Sequence, residues 1–147
     1  MSGAAARAVM ALPLRVYIED TDAGGIVYYV NYLKYFERAR TELMRALGVA
    51  RAALPEAGRQ FVVHSMQVEY LRPALLDDQL VAEAVLAEAG GVRLVFRQRI
   101  LRGAEELCRG DVTVACVDAK TRRPRALPPL LRACLAESPS TRVEKLA

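Results

Sequence analysis

Residues 14–19 (LRVYIE) alternate apolar and polar positions, the two-residue period of a half-buried strand, and the run Asp20-Thr-Asp-Ala-Gly-Gly that follows has the composition of a turn. From residue 30 to 47 the period changes. Leu33, Phe36, Ala39, Leu43 and Leu47 recur three or four residues apart, with Lys34, Glu37, Arg38, Glu42 and Arg45 between them. That spacing predicts an amphipathic helix with one face buried. Gly48 stands where a left-handed cap would end it.

Residues 51–60 contain Pro55 and Gly58 and read as a loop. The spans 61–71, 79–88, 92–101 and 111–118 are rich in Val, Leu, Phe and Tyr and are parted by Arg72-Pro73, Gly90-Gly91 and Arg102-Gly103. They predict four successive strands, antiparallel to their neighbours. In the third, Val92, Leu94, Phe96 and Ile100 share one face and Arg93, Arg97 and Arg99 the other, as a sheet wet on one side requires. Residues 128–137 predict a short terminal helix with proline in its first turn. Strand, long helix and a run of strands make an α+β domain, one long helix packed against a curved antiparallel sheet. The expected boundaries are a ragged N-terminus over 1–13, the domain over 14–137 and a tail over 138–147.

With 147 residues, 53% of them hydrophobic, the chain suits a single core. Its longest uncharged stretch, residues 23–33, is too short to cross a bilayer as a helix. Pro13 interrupts the weakly apolar start, which argues against a signal peptide. Cys108, Cys116 and Cys134 form no C-x-x-C pair, so a reducing, cytoplasmic setting is expected. The single histidine, His64, and these scattered thiols offer no zinc spacing, and neither metal nor cofactor is expected. The charge of +4 is carried mostly by arginine, suited to phosphate. No interleaved aromatic and basic stripe suggests nucleic acid.

The densest cluster of unusual residues runs from Glu19 to Tyr32, joining a strand end to a helix start. Such a junction sets carboxylates beside free N–H groups and the positive end of a helix dipole, a pairing that can polarise a carbonyl while an oxygen attacks it. A calcium loop fails because Asn31 stands at the twelfth place, and a phosphate loop lacks its lysine and spacing. On pattern alone the cluster reads equally as a capped helix start with solvated acids.

The run RVYIEDTDAGGIVYYVNYLKYFERARTELMRALG resembles the signature of the hotdog-fold acyl-CoA thioesterases, in particular the 4-hydroxybenzoyl-CoA thioesterase family and its Tol-Pal-associated branch. The shared pattern is D-x-D-x-x-G-[IV]-V-[YW]-x-x-x-Y followed by a helix containing E-R-A-R-T-E. Val68-Glu-Tyr-Leu-Arg-Pro-Ala74 and Asp77-Asp78 look like the family's next strand and turn.

The resemblance implies a five-stranded sheet around the long helix, a homodimer or homotetramer joined edge to edge, and active sites at the subunit interface. It makes Asp22 the catalytic carboxylate, with Asp20 a lesser partner. It also makes the backbone N–H of Tyr29, with the loop at Gly25, the donor to the thioester oxygen. Many members of the Tol-Pal-associated branch carry histidine at the Tyr29 position. Tyr28, Asn31 and Tyr32 are candidates to contact the acyl group, although the tyrosines read equally as helix packing. Arg93 and Arg125 are candidates to hold coenzyme A phosphates. No G-x-S-x-G elbow is present, and His64, read on one strand face with Val62, Met66, Val68 and Tyr70, is a core or interface residue. Glu37 is read first as a solvated or helix-pairing residue and second as an auxiliary acid. The expected activity is hydrolysis of an acyl-CoA thioester. The alternatives are an acyl-carrier-protein thioesterase and a non-catalytic acyl-CoA binding module.

Overall fold

The strand-forming segments come together as one antiparallel sheet in a computed structural model that describes residues 9–49 and 58–136. In chain order the elements are β1 (Val9–Arg15), α1 (Val30–Ala46), β2 (Arg59–Tyr70), β3 (Gln79–Gly90), β4 (Arg93–Arg102), β5 (Glu105–Asp118) and α2 (Pro129–Ala136). The sheet order is β1-β3-β4-β5-β2, so β1 and β2 are its edges. α1 packs on β1, β3 and β4, the expected α+β arrangement.

Tyr32, Tyr35, Phe36, Ala39, Leu43 and Met44 form the buried stripe of α1. A side chain such as Phe36, fully buried against the sheet, contributes about 1.5–3 kcal/mol. Gly110 marks the closest approach: a Cβ there would lie 2.5 Å from the Gln67 carbonyl oxygen and 3.3 Å from the Phe36 ring. Only a residue without a side chain lets β2, β5 and α1 meet at that point. The helix ends at Leu47, and Gly48 follows with φ of 102°, as its sequence position predicts.

Three local expectations are corrected. The first strand is not 14–19 but Val9–Arg15, with Ile18–Asp20 forming a 3-10 turn. Met10, Leu12 and Leu14 pack against the core, and Pro13 is tolerated because β1 is an edge and needs no donor on its open side. Residues 9–13 therefore belong to the domain; residues 1–8, most of the 51–60 loop and the 138–147 tail lie outside the described residues.

The last strand starts at Glu105 rather than 111. Its first half sets Glu105, Glu106 and Arg109 around the fully buried Leu107 and Cys108, and those charges masked the pattern. Finally, β2 carries a bulge between Val63 and Ser65. The extra residue, His64, reverses the alternation, so Val62 pairs with Ala115 while Met66 pairs with the buried Val112. Val62 and Met66 thus point to opposite faces, and His64 is exposed, hydrogen-bonded to Ser65 at 3.2 Å.

Candidate active site

β1 hands the chain to the turn that precedes β3. Val16 is fully buried, its N–H donates to Asp78 O (2.9 Å) and its carbonyl accepts from Asp77 N (3.0 Å). The chain then folds into a loop closed by bridges between Thr21 and Val27 and between Ile26 and Leu75. Asp22 N donates to Ile26 O at 2.9 Å, and Gly25 N to Asp22 O at 3.1 Å. Gly25 sits at φ 79° with open space where a side chain would be, so backbone conformation rather than crowding demands glycine.

The two aspartates of the motif are used differently. Asp20 is tied down: its Oδ2 accepts from Tyr17 N (2.9 Å), and its carbonyl accepts from Tyr28 N (2.9 Å) and from Asn31 Nδ2 (2.7 Å). Those bonds bind the loop to the start of α1. Burial, then the nearby charge of Asp20, pushes the Tyr35 hydroxyl up from the usual tyrosine range. Asp22 is exposed and its Oδ1 accepts one bond, from Gly24 N at 2.8 Å. No cation among the described residues lies within salt-bridge distance of it. Its carboxylate is open to a ligand.

The helix start beside this loop has a free donor. Tyr29 is the N-cap, and no acceptor among the described residues takes its N–H. No acidic side chain occupies the first turn, so the helix places none of its own acids at the positive end of its dipole. Tyr28 and Tyr29 are exposed with ring centroids 4.9 Å apart, and Tyr70 from the end of β2 meets the Tyr29 ring edge-on at 6.0 Å. Ile26, Leu75 and Leu76, all exposed, lie in the loop and the segment it bridges.

Behind the loop is a brace. The buried Ala74 N–H donates to the Tyr32 hydroxyl at 2.9 Å, and Ala74 O accepts from Val27 N at 2.9 Å. Arg102 Nη1 donates to Asp78 Oδ2 (2.6 Å) and Pro73 O (3.3 Å), and Asp78 Oδ2 also accepts from Leu75 N (2.8 Å). Tyr70 and the Arg102–Asp78 pair are site residues missed by sequence reasoning. The run Pro73 to Asp78 was a visible turn, but nothing local paired it with Arg102.

Several expected contacts fall elsewhere. Asn31 is buried with its side-chain amide spent on Asp20, and Tyr32 is buried with its hydroxyl spent on Ala74, so both position the loop. Arg93 opens β4 at the hairpin opposite the Gln79 end of β3, and β3, at 12 residues, spans roughly 36 Å. Arg125 lies at that same far end, its Nη1 donating to Gly58 O (2.7 Å) and approaching Asp118 at 3.4 Å. Within one chain neither arginine is beside Asp22. A groove of about 680 Å³ on the outer sheet face is lined by Arg97, Arg99, Arg109, Glu69, Glu106 and Asp111, which pair mainly with one another. Among the described residues no three His, Cys, Asp or Glu side chains cluster as a metal site.

Residues 16–135 match the family model of the thioesterase-like superfamily. The acyl-CoA thioesterase YbgC of Haemophilus influenzae is 43% identical over 124 residues, covering 84% of this chain and 91% of its own length. The acyl-CoA thioester hydrolase YbgC of Escherichia coli is 46% identical over 117 residues, 79% of this chain and 87% of that one. Among solved structures, one described as a probable thioesterase from Bartonella henselae has 34% identity and a TM-score of 0.72, covering 82% of this chain and 99% of its own. The DHNA-CoA thioesterase of Staphylococcus aureus, at 20% identity, has a TM-score of 0.83 over 93% of this chain and 95% of its own, a likeness of fold alone.

Proposed function

Because the chain belongs to the thioesterase-like superfamily and is an acyl-CoA thioester hydrolase, we propose that the Asp22 loop and the first turn of α1 are its catalytic site. The observation that carries this reading is the unpaired, exposed carboxylate of Asp22 on a loop bonded to the helix start, whose Tyr29 N–H is free. The thioester oxygen sits on Tyr29 N–H, where one well-placed donor lowers the barrier by about 3–4 kcal/mol. Asp22 then adds to the acyl carbon and expels the coenzyme A thiolate, leaving an anhydride that water cleaves. In the general-base route it instead takes a proton from an attacking water. A single turnover in heavy-oxygen water separates the two, since only the first route leaves label in Asp22.

Tyr28, Tyr29 and Tyr70 form the wall for the acyl group, with Gly25 allowing the close approach of backbone. Asp22→Asn keeps the shape and removes the charge. Its kcat on a short acyl-CoA falls by orders of magnitude while KM changes little. Wild-type turnover in that variant rejects the site.

The working unit is a homodimer, alone or within a tetramer. In support, β2 is a 12-residue edge paired, among the described residues, only with β5, and it exposes Val62 and Val63, an arrangement that invites a second copy. Antiparallel pairing of two β2 edges about a twofold axis sets the Arg59 end of one against the Tyr70 end of the other. The partner's Arg125 then approaches the tyrosine wall, where it holds a coenzyme A phosphate. The setting is the cytoplasm, in keeping with the free, buried thiols of Cys108 and Cys116. No described helix is long and apolar enough to cross a membrane.

A further inference from the structure

Midway along α1, one buried charge lacks a counter-ion among the described residues. Arg40 is 8% exposed, and its Nη1 donates to Gln98 Oε1 at 3.1 Å. Gln98 is fully buried and is oriented in turn by donating Nε2 to the Phe36 carbonyl at 2.9 Å. This amide aims the guanidinium but cannot neutralise it. No carboxylate among the described residues lies within 4.0 Å of Arg40. Burial disfavours the Arg40 charge, with Glu37 opposing that effect only through space. A buried cation left unpaired costs several kcal/mol, so the described part of the chain is electrostatically incomplete here.

Arg40 lines a cleft of about 80 Å³ between α1 and the concave side of β2, together with Glu37, Thr41, Met44, Phe61 and Val63. The volume is that of two or three waters, enough for a carboxylate. The cleft is open because α1 lies over β1, β3 and β4, leaving much of β2 exposed. Glu37, on the same rim, is exposed and has no cation within salt-bridge distance among the described residues. One helix face thus carries an unpaired acid and an unpaired base, three residues apart. A twofold interface repeats every contact with the roles exchanged, so such a face is complementary to a second copy of itself.

We propose that this cleft is closed in the dimer by the partner subunit's Glu37, which pairs with Arg40 while Glu37 here pairs with the partner subunit's Arg40. The pair rests on the homodimer reading above and adds what completes it: the neighbouring face of α1, beside the β2 edge, is part of the docking surface. Val63, half exposed on the cleft side of β2, supplies adjoining apolar area, and the reciprocal ion pairs set the register.

Sedimentation equilibrium of the full chain tests this. Glu37→Lys, a surface change, puts like charges together twice and raises the dimer dissociation constant roughly tenfold, more at low salt; Glu37→Gln has a smaller effect in the same direction. Arg40→Glu is impaired in the same way. Mixed with Glu37→Lys it forms a heterodimer tighter than either homodimer, because each altered charge then meets its opposite. If Arg40→Glu does not fold, the ordering of wild type, Glu37→Gln and Glu37→Lys, each with native circular dichroism, decides. A wild-type dimer that Glu37→Lys leaves unchanged overturns the ion pair and leaves the dimer standing. A wild type that is monomeric at micromolar concentration overturns the dimer reading and the pair with it.

Discussion

Replacing Tyr32 by Phe deletes one oxygen from the brace behind the Asp22 loop and leaves the rest in place. The ring keeps its edge-on contacts with Tyr35 and Tyr70, at 6.2 and 5.6 Å. The Ala74 N–H, on a residue with no exposed surface, loses its acceptor at 2.9 Å. Burial pushes the Tyr32 hydroxyl up from the usual tyrosine range, so the group lost at neutral pH is a neutral O–H. A buried donor left unsatisfied costs about 1–3 kcal/mol. Against a total stability of about 5–15 kcal/mol the variant still folds. With a urea slope of about 2 kcal/mol/M, the unfolding midpoint drops by roughly 0.5–1.5 M. Because Ala74 O holds Val27 N and Leu75 bridges Ile26, the loop carrying Asp22 loosens as well, and kcat falls several-fold with KM little changed. Urea unfolding followed by circular dichroism, with acyl-CoA turnover on the same samples, measures both. A midpoint within about 0.2 M of wild type refutes the reasoning, since the Ala74 N–H would then have another acceptor.

Two further outcomes are expected. Tyr29 already has φ of −57°, the value proline imposes, so Tyr29→Pro removes the N–H without distorting that torsion, and kcat falls by about 100- to 1,000-fold, whereas Tyr29→Phe costs little. Equal losses in the two variants reject the backbone donor. The second concerns acid. Backbone N–H groups of Thr121 and Lys120 hold the Asp118 carboxyl below its ordinary value, and the Arg102 hydrogen bond does the same for Glu105. Folded values below unfolded ones mean that this stabilisation is present above the ordinary carboxylate range and disappears as pH falls through the depressed values. The urea midpoint stays level from neutral pH down to about 5 and declines below about pH 4. A midpoint that rises on acidification contradicts this account.

The family motif and the helix were legible along the chain because both are local. A 3.6-residue period places Phe36, Ala39 and Leu43 on one face whatever they pack against, and Gly48 ends the helix by its own backbone freedom. The α+β class followed from the order of elements. The location of β1 did not, since Val9–Arg15 is a strand only because β3 offers it a partner. A single bulge at His64 moved Val62 and Met66 to opposite faces, and no side-chain pattern announces an extra backbone residue.

At the site, residue type singled out the Asp20-Thr-Asp22 cluster as a candidate, but only the folded chain distinguished a carboxylate spent on Tyr17 N–H from one left open. Asn31 and Tyr32 were expected among the ligand contacts; the fold turned both inward, onto Asp20 O and Ala74 N–H. Arg93 and Arg125 share the basic character that coenzyme A requires, yet strand length carries them to the opposite end of the sheet. Composition and spacing determine what a segment can do by itself. Which polar atom is consumed by an internal partner, and which remains for a substrate or a second subunit, depends on atoms brought together from distant parts of the chain, and that was decided by the tertiary structure alone.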